Sequence, residues 1–153
     1  MDGKRLIGID IGKYWLDVAR EGVAKVERHP NTVQAIAALL RSFDPARDIV
    51  VFERCGGYER ALEAALADAG IAWAVVHSQR VKAFRQAQGI KAKTDSIDAR
   101  LLQAFGRDRL KAGALRLGRA SDVRLDALMA RRRQLKAMLH AERCRLETAA
   151  IDI

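Results

Sequence analysis

Four acidic residues fall where an acid needs a reason to be. Asp10 sits in the apolar run 6–11, and Glu53 ends the apolar run 49–52. A charge in or at the end of a buried strand is costly unless it is paired or metal-bound. Asp95 and Asp98 lie three residues apart at a helix start, so both point to one face. Carboxylate oxygens are the ligands preferred by hard cations such as magnesium and manganese. Clustered acids without a cation repel one another and hold their protons more tightly, a conflict that a divalent metal removes. Taken singly, each acid also has a plainer role. Asp95 can be an N-cap, Asp98 a first-turn acid favoured by the helix dipole, and Glu53 a solvated strand end.

The remaining chemistry-bearing residues are less patterned. His29, His77 and His140 have no metal-ligand spacing. Ser78 and Ser96 lack a neighbouring base and read as helix starts. Gly56-Gly57 is not followed by a phosphate-loop lysine, and it reads as a tight passage from strand to helix. Lys13 follows the Asp10 run, while Lys91, Lys93, Arg100 and Arg107 surround the Asp pair in sequence. They are either a solvated face or phosphate contacts beside a metal.

These residues are carried by a chain of 153 residues, half of them hydrophobic, long enough for a real core without staples. Lys and Arg number 28 against 19 Asp and Glu, a net charge of +9 and a pI near 10.1. That excess points first to nucleic acid and second to an anionic surface. Cys55 and Cys144 make neither a disulfide framework nor a zinc motif, which suits a reducing cytoplasm. The first apolar run stops at Asp10, too short for a signal core or a spanning helix, so no membrane is expected.

Patterning supplies the elements. Residues 6–11, 14–19 and 23–28 read as an antiparallel meander. A helix follows from Asn31, with Asn31 and Gln34 at capping-box spacing and Val33, Ile36, Ala37 and Leu40 as its apolar stripe. Residues 49–52 and 72–76 suit strands covered on both faces. Between them a helix over 58–69 turns Leu62, Ala65, Leu66 and Ala69 inward and ends at Gly70. Ser78 caps a helix carrying Val81 and Phe84, and residues 88–93 form a basic loop. Thr94 or Asp95 caps the next helix, with Ile97, Leu101, Ala104 and Phe105 buried, and 106–118 reads as a linker. From Ser121 onward, Leu125, Leu128, Leu135, Leu139, Leu146, Ala149 and Ile153 keep a heptad seam in which Arg132 and Glu142 take two positions. The expected organisation is a domain over 1–112, then a linker and self-associating helix over 113–153. A meander feeding parallel crossovers is the mixed α/β sheet of ribonuclease-H-like folds.

Three segments carry a resemblance: Gly8-Ile9-Asp10-Ile11-Gly12-Lys13, Glu53-Arg54-Cys55-Gly56-Gly57-Tyr58-Glu59, and Lys93-Thr94-Asp95-Ser96-Ile97-Asp98-Ala99. In this order they resemble the N-terminal domain of the DEDD-type insertion-sequence transposases, relatives of the Piv/MooV pilin-gene invertases. The Lys-Thr-Asp-x-x-Asp-Ala segment is the most specific, and the likeness spans essentially the whole chain. The resemblance implies a RuvC-like domain with Asp10, Glu53, Asp95 and Asp98 as catalytic acids and magnesium ligands, manganese substituting. It also implies DNA as partner, a helical dimerisation segment, bacterial origin and, in some members, a structured guide RNA. Members carry a further C-terminal domain with a conserved serine, so a chain ending at Ile153 is expected to be a fragment.

The function expected is therefore that of a transposase or recombinase, performing magnesium-dependent DNA strand cleavage and transfer. Two rivals share the fold: a nucleic-acid-binding and dimerisation module without turnover, and a stand-alone Holliday-junction-type nuclease. A third, an actin-like phosphotransferase, rests on Asp10-Ile11-Gly12 alone and lacks a second lobe and an adenosine loop.

Overall fold

The two runs that end in acids form the middle of a five-stranded sheet. A computed structural model describes residues 3–90 and 95–149, apart from the side chains of Asp95, Ser96, Asp126 and Thr148. The elements are β1 (Arg5–Ile11), β2 (Trp15–Arg20), β3 (Glu27–Pro30), α1 (Val33–Leu40), β4 (Asp48–Glu53), α2 (Arg60–Asp68), β5 (Ala72–Val76), α3 (Ser78–Ala87), α4 (Asp95–Lys111) and α5 (Ala120–Ala149). The sheet order is β3-β2-β1-β4-β5, antiparallel across β3, β2 and β1 and parallel across β1, β4 and β5. This is the mixed sheet that patterning predicts. Among the described residues no helix is long and apolar enough to cross a membrane.

Residues 1–119 form one compact unit and 120–153 a second. In the first, α4 lies across β1 and touches β2 and β4. The approach is close because both surfaces supply glycine. A methyl group on Gly8 would meet Ala99 O and stand 2.5 Å from Gln103 N, and one on Gly106 would stand 2.6 Å from Val51 Cγ2. Gly106 is thus a buried helical position, and α4 runs through part of the stretch read as linker. Its buried side chains are Ala99, Leu101, Leu102 and Phe105, whereas Ala104 is exposed and Ile97 half-buried. Contact with strands on one side and α3 on the other replaces the single stripe expected.

Several boundaries differ from those that patterning predicts, for identifiable reasons. Residues 23–26 are not strand. Val23 N–H turns back to Arg20 O (3.2 Å), and Arg100 donates to the carbonyls of Val23 and Ala24, so those groups are satisfied without a ladder. Thr32, not Asn31, caps α1, its Oγ1 accepting from Ala35 N–H (3.3 Å). Val33 is consequently exposed, and Ile36, Leu39 and Leu40 face inward. In α2 the buried side chains are Leu62, Glu63 and Leu66, and Ala69 is exposed. His77 takes the cap position of α3, and Ser78 is its first helical residue. Gly70 ends α2 as expected, at φ +66°, with its N–H on Ala67 O (3.2 Å) and that of Ile71 on Leu66 O (3.0 Å). Residues 16–19 are all buried, because α4 covers the β2 face that carries Asp17 and Ala19.

The outer edge of β5 is covered by the chain leaving α4. Gly118 N–H donates to Trp73 O (2.8 Å), and the Trp73 indole N–H reaches Glu63 Oε1 of α2 (3.3 Å). The second unit is α5, a helix of 30 residues and roughly 45 Å by helical rise. Leu125, Leu128, Leu135, Leu139 and Leu146 are exposed on it. Thr94, Lys91, Lys93 and Ile153 lie outside the described residues.

The close approach at Gly8 yields the first prediction. Gly8→Ala overpacks the β1–α4 interface and should lower unfolding free energy by about 1–3 kcal/mol. Urea denaturation checks it, and a midpoint equal to the parent's would refute close packing at this point.

Candidate functional site

The strand register assembles the site. β1 and β4 run parallel with Gly8 opposite Val51 and Ile9 opposite Phe52. One step further, Asp10 and Glu53 stand on neighbouring strands and, by the pleat, on the face that carries α4. α4 begins at Asp95, and its first turns lie over that end of β1, which brings Asp98 to the same place. Asp10, Glu53 and Asp98 line one cleft of about 230 Å³ together with Ser78, Lys82 and Arg85 of α3. The side chain of Asp95 lies outside the described residues, but its backbone begins the same helix.

The electrostatics follow from this crowding. Glu53 is half-buried, and its carboxyl is held above the ordinary range, first by burial and then by the charges of Asp10 and Asp98. Arg85 and Lys82 oppose that rise. Arg85 Nη2 is paired with Asp98 Oδ1, while its Nε is buried with no hydrogen-bond partner among the described residues. Arg85 and Lys82 are therefore the cations that face the acids, and neither stands out in the sequence. The signal that could have found them is the spacing 78, 82, 85, one face of α3.

A fifth carboxylate, also without a sequence signal of its own, completes the neighbourhood. Asp17 of β2 is the cross-strand partner of Asp10. Two acids directly opposite destabilise a sheet. Arg28 of β3, itself opposite Asp17, answers with a bidentate pair (Nε–Oδ1 2.9 Å, Nη2–Oδ2 2.8 Å). Arg28, Asp17, Asp10 and Glu53 thus form a charged row across four strands.

Two polar residues fix the loops that leave the acid-bearing strands. Asn31 Nδ2 donates to Gly12 O (2.9 Å) and Tyr58 O (3.2 Å), tying the turn after Asp10 to the loop after Glu53. Glu59, 4% exposed, accepts at Oε2 from Cys55 N–H (3.1 Å), Gly57 N–H (2.9 Å) and the Cys55 thiol. Gly56 and Gly57 have φ of +74° and +108°, the backbone this cradle requires. Burial, the largest influence on Glu59, raises its proton affinity, but the N–H groups outweigh it and the carboxyl lies below its usual range. Cys55 is pushed up to about 12 by burial and by Glu59, so its thiol is protonated at neutral pH and is no nucleophile.

The predicted phosphate contacts are dispersed. Lys13 is exposed, its Nζ 5.0 Å from the Tyr14 ring. Arg100 serves the carbonyls of Val23 and Ala24, and Arg107 pairs with Glu21 and donates to Lys4 O (3.0 Å). These two hold the domain's outer turns and do not line the carboxylate cleft.

The donor chemistry suits a hard cation, being carboxylate oxygen throughout. Among the described residues no three of His, Cys, Asp and Glu stand close enough to hold a metal as they are.

Comparisons with known proteins agree with this architecture. A family model for transposases of the DEDD, IS110 type matches residues 7–150. RuvC of T. thermophilus in complex with a Holliday junction substrate superposes with a TM-score of 0.56 at 17% identity, covering 75% of this chain and 99% of that one. A second Thermus thermophilus RuvC structure gives 0.52 at 16% identity, covering 74% and 99%. The RuvC-like, ribonuclease-H-like fold is thereby shown. No curated protein sequence matches the chain.

Glu59 generates a prediction with a definite sign. Its depressed carboxyl contributes stability that is present at neutral pH and is lost as acid protonates it in the folded state. Glu59→Gln should cost about 1–3 kcal/mol at pH 7 and flatten the acid limb of the stability curve. Thermal melts from pH 7 to pH 3 check it, and parallel curves for parent and variant would count against the cradle.

Proposed function

The chain belongs to the IS110-type family of DEDD transposases, and from that premise we propose that it engages a DNA phosphodiester at the cleft between β1, β4 and α4. The reaction is the metal-dependent strand cleavage and transfer of transposition or site-specific inversion. One observation carries this reading: three carboxylates remote in sequence, from three elements, line one cleft beside Lys82 and Arg85. The likeness of fold to a RuvC captured on a Holliday junction supports nucleic acid as the occupant.

Asp10, Glu53 and Asp98 would hold magnesium, with manganese as a substitute, and Asp95 is proposed as the fourth ligand. When bound, the cation supplies Lewis-acid stabilisation of charge developing on phosphoryl oxygen. The chain's own residues do the rest. Arg85 pairs with Asp98, and with Lys82 it presents positive charge where a phosphate would enter. Asn31 and Glu59 keep the Asp10 and Glu53 strand ends in register. Lys13, Lys91 and Lys93 are proposed phosphate contacts.

A binding module without turnover is the second reading, favoured by the Arg85–Asp98 pair that already balances part of the acid charge. It requires salt-sensitive DNA binding with no cleavage under any divalent ion. The leucines exposed along α5 support self-association through that helix.

Asp10→Asn and Asp98→Asn should leave the melting temperature within a few degrees and abolish manganese binding in calorimetric titration. Unchanged affinity in both variants would overturn the metal assignment. Leu135→Glu combined with Leu139→Glu should convert an oligomer to monomer in light scattering, and an unaltered mass would remove α5 from the interface.

A further inference from the structure

A second concavity, of about 240 Å³, opens on the far side of the start of α3, and its lining includes Val76, His77, Phe105, Arg80, Arg109 and Arg116 but no acid. Most arginines of the first unit are tied to a carboxylate or a carbonyl, as Arg5, Arg28, Arg85, Arg100 and Arg107 are. Arg80 and Arg116 are among those that are not: like Arg41, Arg60 and Arg119, they make no side-chain hydrogen bond or ion pair among the described residues, but these two share one concavity. Arg109, the third, pairs with Asp108 (2.9 Å) and lies 5.7 Å from the Phe105 ring centre. Three arginines thus line one concave, partly apolar wall, and two of them have no anionic partner among the described residues. Their planar forks match the oxygens of a phosphate.

The position of this concavity suggests which phosphate. Val76 is the ladder partner of Glu53, so a residue of the second cavity's wall stands one strand spacing, about 4.8 Å, from a ligand candidate of the first. His77 and Ser78 are consecutive, and each lines one of the two cavities. We propose that Arg80, Arg109 and Arg116 form a subsite for a backbone phosphate of the nucleic-acid strand that enters the carboxylate cleft, a few nucleotides along from the phosphodiester held there. The subsite rests on reading that cleft as a nucleic-acid site. It fixes the register of the strand and carries no base preference.

The test measures binding of a fluorescein-labelled single-stranded DNA to the 153-residue chain by anisotropy across a potassium chloride series in EDTA. The logarithm of affinity falls against the logarithm of salt with a slope of about 0.7 per neutralised phosphate on a single strand. Arg80→Ala with Arg116→Ala should weaken binding and lower that slope by about 0.7 for each phosphate no longer neutralised. Lys25→Ala with Arg41→Ala removes the same charge from exposed positions elsewhere and should leave the slope unchanged. Arg80→Lys with Arg116→Lys should keep the slope and weaken affinity, and it serves as the readout should the alanine pair fail to fold. An unaltered slope in the alanine pair, or an equal fall in the control pair, overturns the subsite. Titration with inorganic phosphate at constant ionic strength separates a free anion from a strand. Tight phosphate binding that disappears in the alanine pair, with the DNA slope intact, would likewise overturn it. Failure of the cleft reading shows separately, as manganese affinity insensitive to Asp10→Asn, while the slope change persists.

Discussion

The structure depends on how closely one helix can lie on one strand. α4 rests against β1 with its backbone over Gly8, and Gly106 lets the same helix settle onto Leu6 and Val51. Any side chain at those points would lift the helix by a methyl's thickness. That lift would move Asp98 away from Asp10 and Glu53, whose own positions are set by the β1–β4 ladder. Packing at one end of the helix–strand interface and site geometry at the other are thus a single constraint.

The same interface concentrates negative charge in a basic protein. Asp17, Asp10 and Glu53 lie in a row across the sheet, with Asp98 arriving from above. The fold answers with cations from elements on either side, Arg28 from β3 and Arg85 from α3. The acid row is left with one incompletely balanced stretch, around Glu53, where burial and like charge keep the proton affinity high. Crowding of this kind raises the cost of a second proton-free acid, and a nearby positive charge lowers it. The surplus of 28 basic over 19 acidic residues then allows a polyanion to approach acids that would otherwise turn it away.

Much of this is legible in the sequence. The runs 6–11, 49–52 and 72–76 are strands, Gly70 ends its helix, and the last described element is one long helix. The meander and crossover order predicts the mixed sheet. Several departures share a cause, namely partners distant in sequence. Residues 23–26 look like strand, yet the carbonyls of Val23 and Ala24 are taken by Arg100, 77 and 76 positions away. Asn31 resembles a helix cap, yet its amide clamps two loops 19 and 27 residues off. Asp17 carries no signal of its own in the sequence, yet it is buried on a β2 face that α4 touches and is paired by Arg28 eleven residues on.

By itself the sequence determined the elements, the excess of positive charge and the acids worth attention, because hydrophobic period and residue type act locally and are read locally. Only the tertiary structure decided which of those residues meet. It joined Asp10, Glu53 and Asp98 in one cleft, recruited Lys82, Arg85 and Asp17 to that neighbourhood, and drew Arg100 and Arg107 into structural service. The reason is physical. Strand register and helix approach distance are set by packing between segments tens of residues apart, and a charge acquires its role from whichever partner that packing delivers.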